Sequence, residues 1–234
     1  MNSVIILPTY NEKENIAGIV QEIFSIGISD LKVIIVDDNS PDGTGQIADK
    51  LAAENSRISV LHRPKKEGLG KAYMAGFQEA LSDPQNQYIF EMDADFSHQP
   101  KYLPRFLDSM EQADLTLGSR YIVGGGIANW SWPRRFISWL ANIIIRKLLG
   151  VAVRDLTGGF KCFNRRVLEN MDLENIESRG YNFQIELTYK AIKKGFRIKE
   201  VPIVFVERRA GHSKFSAAIM IESFWKVLML RFKK

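Results

Sequence analysis

Residues Gln87 to Pro100 read QYIFEMDADFSHQP, and the reading of this stretch decides the fold. Tyr88 to Met92 is a short, mainly apolar run between polar residues, the pattern of a buried strand. Asp93 and Asp95 follow where that strand should end. In a strand, residues two apart point to the same side, so the spacing predicts that the two carboxylates converge. Like charges held together are costly unless a cation neutralises them. Hard oxygen donors suit magnesium or manganese, with a phosphate completing the shell. Taken alone, D-x-D equally describes an acidic turn that merely stops a strand.

The neighbouring segments repeat the arrangement. Ser3 to Leu7 and Leu31 to Val36 are apolar, β-branched runs that read as buried strands, and Ile58 to Leu61 reads as a third. The first breaks at Pro8-Thr9-Tyr10-Asn11-Glu12 and the second at Asp37-Asp38-Asn39-Ser40. Asn11 and Glu14 have the spacing of a capping box, ahead of helical periodicity at Ile16, Ile19, Val20, Ile23 and Phe24. Pro41 to Thr44 is a turn before a helix through Ile47 and Leu51, and Gly68 to Leu81 is a third helix. Apolar strands alternating with amphipathic helices predict an α/β fold, a mainly parallel sheet covered on both faces. Ligands bind such sheets at the carboxyl ends of the strands. Three of those ends here are loaded with polar or acidic residues, which favours the metal reading of Asp93 and Asp95.

The second half differs. Leu115 to Ser119 reads as a strand running into Arg120 and Tyr121, and Gly124 to Gly126 as a flexible loop. Trp130 to Arg135 (WSWPRR) is aromatic and basic together. Phe136 to Leu149 is predicted as a helix whose stripe of Phe136, Trp139, Leu140, Ile143, Ile144 and Leu148 suits either a core or a membrane surface. Asp155 to Phe160 (DLTGGF) is turn-like, and Cys162 reads as a packing residue. Tyr181 to Ile192 is helical, Ile198 to Val206 is a strand interrupted at Pro202, Glu207 to Lys214 is a basic loop, and Ala217 to Phe232 carries an apolar stripe.

Composition bounds the rest. With 234 residues, 45% hydrophobic and 25% charged, the chain suits one α/β domain. A net charge of +5 does not imply nucleic-acid binding, and a single cysteine excludes an internal disulfide. The first strand starts almost at Met1, and no run approaches the ~20 apolar residues of a membrane span. The expectation is a protein of the cytoplasmic face that does not itself cross the membrane. Two aspartates on a metal beside Arg120, Arg134, Arg208 and Lys214 describe a site for phosphate-bearing molecules. No serine–histidine–aspartate order, phosphate loop or dinucleotide fingerprint is present.

The series Pro8-Thr9-Tyr10-Asn11-Glu12, Val36-Asp37-Asp38, Asp93-Ala94-Asp95, Gly118 to Tyr121, Asp155 to Phe160 and Arg208 with Gly211-His212-Ser213-Lys214 resembles the family 2 glycosyltransferases of the GT-A fold. Within them it resembles the polyprenol (dolichol) phosphate mannose synthases, over residues 3 to about 230. The resemblance implies a nucleotide-sugar half up to about residue 120 and an acceptor half from about 121, within a single domain of 1–234. It assigns Pro8, Tyr10, Glu12, Val36 and Asp38 to the guanine nucleoside of GDP-mannose. Asp93, Ala94 (through its carbonyl) and Asp95 would hold the diphosphate and a divalent metal, Mg2+ or Mn2+. Ser97 stands where some members use a glutamine ligand.

Arg120, Arg208 and Lys214 match cations that grip the donor phosphates, and Arg120, Arg134, Arg208 and Ser213 match the acceptor-phosphate site. The implied catalytic set is Asp95, Arg120, Arg208 and Lys214. A polyprenyl monophosphate is already an anion, so attack needs no protein base. Asp155 and Glu186 are the acidic residues that could serve as one in a hydroxyl-acceptor relative. Members without membrane spans work at the membrane surface, in some organisms with a small membrane-anchoring partner subunit. The rivals are a lipid-phosphate transferase using UDP-glucose, a sugar-nucleotide pyrophosphorylase, disfavoured by the PTYNE start, and a non-catalytic binding module.

Overall fold

A computed structural model describes residues 2–173, 176, 181–207 and 227–231. The elements in chain order are β1 (Ser3–Thr9), α1 (Ile16–Ser25), β2 (Leu31–Asp37), α2 (Thr44–Glu54), β3 (Ile58–His62), α3 (Leu69–Ser82) and β4 (Tyr88–Glu91). A 3-10 turn (Pro100–Tyr102) leads into α4 (Leu103–Met110), followed by β5 (Leu115–Ser119), β6 (Gly126–Ala128), α5 (Trp132–Leu149) and β7 (Lys161–Asn164). α6 (Arg165–Glu169), α7 (Tyr181–Lys193), β8 (Ile198–Pro202) and β9 (Val204–Val206) complete the series, and residues 227–231 are helical.

Seven strands form one sheet in the order β3-β2-β1-β4-β7-β5-β8, all parallel except β7, which runs antiparallel to β4 and β5. Side-chain alternation along β1 supplies both faces. Ile5 and Leu7 pack with Ile19, Phe90, Phe106 and Phe160 on one side, while Val4 and Ile6 pack with Tyr73, Phe77 and Phe183 on the other. Each such side chain, fully buried, contributes about 1.5–3 kcal/mol. A third cluster joins Leu117, Ile145, Leu149, Leu156 and Ile185, fixing α5 and α7 beside the sheet.

Several expectations change. β7 lies inside the sheet, in a stretch the sequence reads as turn and packing; Cys162 does pack, buried between β4 and β5. Gly126 opens a strand instead of belonging to a loose loop: β6 pairs parallel with β9, and a Cβ on Gly125 would lie 2.5 Å from the Ser119 carbonyl. The capping box does not form, since Asn11 takes φ +60° and α1 starts only at Ile16, whose N–H donates to the Glu12 carbonyl. α5 begins four residues before Phe136, on a Pro133 near its first turn. Its anticipated stripe faces outward: Phe136, Trp139, Leu140 and Ile144 are exposed, and Asn142, Ile145 and Leu149 form the buried face.

Candidate active site

The register Pro8↔Val36 and Thr9↔Asp37 brings the carboxyl ends of β1 and β2 level, with β4 on the far side of β1. There they border a cavity of about 230 Å³ lined by Pro8, Tyr10, Glu12, Asp38, Asp93, Ala94 and Asp95, with Lys66 at its rim. Seven expected residues from three separate strand ends thus share one wall. Val36 does not join them through its side chain, which is buried in the core against α3. A larger cavity of about 390 Å³, bordered by Glu22, Phe96, Gln99 and Lys101, holds none of these carboxylates.

The two aspartates after β2 divide the work. Asp37 builds the turn: its carboxylate accepts from the Ser40 N–H at 3.1 Å, the Ser40 hydroxyl at 2.6 Å and the Thr9 hydroxyl at 3.2 Å. Asp38 faces the cavity and accepts from the Arg63 guanidinium, itself nearly buried and bonded to Glu67. Burial pushes the Asp38 carboxyl above its ordinary value, with Arg63 opposing it. Lys66 sits 3.5 Å over the Tyr10 ring. Its signal was present in Lys65-Lys66, a pair of lysines just past the carboxyl end of β3.

The D-x-D pair is built differently from the strand geometry expected. β4 ends at Glu91 and the chain leaves the sheet, because the Asp93 N–H donates to His98 Nδ1 at 3.0 Å instead of to a neighbouring strand. Phe96 then takes φ +64°, and the Ser97 N–H caps Asp95 Oδ1 at 3.0 Å. The carboxylates therefore meet in a turn, not on one strand face. Asp93 accepts from the Tyr73 hydroxyl at 2.9 Å, in a buried position that raises the Tyr73 pKa well above its usual value. Asp93 Oδ2 also lies 3.8 Å from His98 Nδ1. That nitrogen accepts the backbone N–H, and burial holds the His98 pKa down, so the ring is neutral and the contact is no ion pair.

The donor set fits a hard divalent cation: the two carboxylates of Asp93 and Asp95 line one cavity, with Ala94 between them. Among the described residues no cluster of three acidic, histidine or cysteine side chains accompanies them. The protein thus offers part of a shell that phosphate oxygens and water would complete. Below, Glu91 and Lys161 face each other across β4 and β7, fully buried, with Lys161 also held by Gln184. Burial raises the Glu91 pKa to about 7, against the pull of Lys161.

Arg120 and Asp155 form a buried bidentate pair, with two bonds of 2.7 Å and a third from the Arg120 N–H at 3.0 Å. Thr157 also accepts from Arg120, and Asn142 of α5 ties down this turn through the Leu156 N–H. Burial raises the Asp155 pKa, but the charge and hydrogen bonds of Arg120 outweigh it and leave the group below its ordinary value. Glu186 is buried and paired with Lys190. Neither acid lines the cavity. Arg134, and not the exposed Arg135, turns inward: it lies 3.8 Å over the Trp130 ring and pairs with Glu207. Arg208, Ser213 and Lys214 lie outside the described residues, as does most of the expected 217–232 helix.

Comparison with known proteins follows the same lines. The model of Glycosyl transferase family 2 matches residues 4–172. The chain is 47% identical over 227 residues to the polyprenol monophosphomannose synthase of Mycolicibacterium smegmatis, spanning 96% of this chain and 85% of that protein. It is 44% identical over 223 residues to the undecaprenyl-phosphate mannosyltransferase of Micrococcus luteus, spanning 95% and 91%. Glucosyl-3-phosphoglycerate synthase from Mycobacterium tuberculosis, solved with phosphoglyceric acid, aligns with a TM-score of 0.69 at 16% identity over 100% of this chain and 81% of that one. Its complex with Mn2+, uridine diphosphate and glucosyl-3-phosphoglycerate gives 0.66 at 16% over 98% and 78%. These structures share the fold, the GT-A architecture expected from the motifs.

Proposed function

The chain belongs to glycosyl transferase family 2, and from that premise we propose that it transfers mannose from GDP-mannose to a polyprenyl (dolichyl) monophosphate, with inversion, giving the β-linked lipid phosphomannose and GDP. The observation that carries this reading is the single cavity in which Pro8, Tyr10, Glu12 and Asp38 meet Asp93-Ala94-Asp95. The likeness to two lipid-phosphate mannosyltransferases along nearly the whole chain supports the sugar and the acceptor. The chain acts as one domain, with the donor half up to about residue 120 and the acceptor half beyond it.

Tyr10, Glu12 and Asp38 take the nucleoside, with Asp38 held in place by Arg63. The Asp93 and Asp95 carboxylates and the Ala94 carbonyl would hold the divalent cation, Mg2+ or Mn2+. Bound there, it supplies neutralisation of the diphosphate and of the charge on departing GDP. Tyr73 and the Ser97 N–H fix the two carboxylates in orientation. The acceptor phosphate carries between one and two negative charges at neutral pH and attacks the sugar carbon without a base. That agrees with Asp155 and Glu186 being locked in ion pairs away from the cavity. Arg120, Arg134, Arg208, Ser213 and Lys214 bind the phosphates of the two substrates, so alignment and charge neutralisation carry the rate.

Membrane-surface docking through the outward aromatic face of α5 brings the protein to its lipid. Incubation with a short prenyl phosphate and either GDP-mannose or UDP-glucose, with the product's anomeric configuration read by NMR, tests the proposal. The expected product is the β-mannosyl phosphate; glucosyl transfer alone would overturn the donor, and an α-linked product the mechanism.

A further inference from the structure

Two arginines from different parts of the chain approach one indole. Arg134, in the first turn of α5, stands 3.8 Å over the Trp130 ring, and Arg120, just after β5, lies 5.8 Å from its centroid. Phe205 of β9 meets Trp130 edge-on at 5.6 Å and is itself 5.5 Å from the Arg120 guanidinium. The β6–β9 pairing therefore builds an aromatic floor beneath both cations. The Trp130 Nε1–H is shielded from solvent and has no acceptor among the described residues.

The two cations differ in what they can exchange. Arg120 is held by Asp155 with almost no exposure on either side. The Arg134–Glu207 pair is more open, its side chains 23% and 37% exposed, and there an ion pair is worth little and another anion can replace the carboxylate. A guanidinium that loses its carboxylate normally regains rotamer freedom, which binding must then remove. One resting on an indole keeps its orientation through the exchange.

We infer that Trp130 is the positioning residue of the acceptor-phosphate site. Its ring holds Arg134 in place while Glu207 yields to the incoming phosphate monoester. The inference rests on the lipid-phosphate reading above.

The test compares wild type with Trp130→Ala, Trp130→Phe, Arg134→Ala and the Trp130→Ala/Arg134→Ala double variant. Calorimetry measures binding of a short prenyl phosphate without donor, and steady-state assays give KM for each substrate. Trp130→Ala should weaken prenyl phosphate binding and raise its KM roughly two- to thirtyfold, the range of a cation–π contact. KM for GDP-mannose should stay the same, and Trp130→Phe should fall between. In the double variant the losses should not multiply, since Trp130 acts through Arg134. Equal prenyl phosphate binding by wild type and Trp130→Ala overturns the inference, as does no binding by wild type. A donor KM that rises in the same proportion points to a structural role and overturns it too. Prenyl phosphate binding that depends on Trp130 without any mannose transfer would instead sink the proposed function and leave this inference standing.

Discussion

Asp155 and Asp95 are both buried carboxylates close to loaded strand ends, yet their surroundings give them opposite parts. Asp155 spends its oxygens on Arg120 and Thr157, which makes it a structural anchor. Asp155→Ala leaves a buried guanidinium uncompensated and should cost about 3–5 kcal/mol at pH 7 in urea unfolding. The sign of its pH dependence follows from its depressed pKa: the stability it contributes is present above the ordinary value of 3.8 and disappears as pH falls through the lower folded value. The gap between wild type and variant should therefore close in acid; a gap that stays constant would contradict the anchor role. At this scale the sequence shows which residues carry charge but not which of them are committed. Arg120 and Asp155 lie 35 positions apart, joined through the turn that Asn142 ties and the Asp155 N–H bond to Glu200. Asp93 and Asp95 could be named from sequence, but their convergence depends on Phe96 at positive φ and on His98 taking a backbone N–H.

Close packing between α3 and the sheet centre fixes where the strand ends sit. A Cβ on Gly76 would stand 2.4 Å from Ile6 Cγ2, in the middle of β1, and 3.2 Å from Val36 Cγ2, near the carboxyl end of β2. Overpacking there costs about 1–3 kcal/mol, against the ~1 kcal/mol that alanine gains over glycine in a helix. Both methyl contacts are with β-branched side chains of the sheet, so the clash wins, and Gly76→Ala should destabilise by about 1–2 kcal/mol. Thermal unfolding checks it; an unchanged or raised midpoint would mean that α3 is free to move away from the sheet. β1 and β2 were legible beforehand because each holds a continuous apolar run, Val4 to Leu7 and Val33 to Val36. β7 was not, because its four residues include a lysine, buried only through Glu91 and Gln184 contributed from elsewhere. Periodicity revealed the stripe on α5, but a stripe carries no sign of which way it faces.

That outward face matters for the molecule as a whole. Trp132, Phe136, Trp139, Leu140 and Ile144 are exposed together, 74% for Trp132, with Arg135 and Lys147 beside them. Among the described residues no helix is long and apolar enough to cross a membrane. For the lipid-phosphate transfer we propose, the exposed amphipathic face of α5 is the candidate contact with the membrane that holds the acceptor. Phe136→Ser with Trp139→Ser should lower association with phospholipid vesicles by about tenfold or more while leaving the melting temperature unchanged. Unaltered vesicle binding would place the membrane contact elsewhere. The central claim, that the cavity at Asp93 and Asp95 performs a metal-dependent sugar transfer, is tested most directly by one assay. Labelled mannose transfer from GDP-mannose to polyprenyl phosphate is followed with manganese or with EDTA, for wild type and Asp95→Ala. The account predicts a lipid-linked product from wild type with metal, and none with EDTA or from a folded Asp95→Ala variant. Transfer that persists in that variant, or in EDTA, would contradict it.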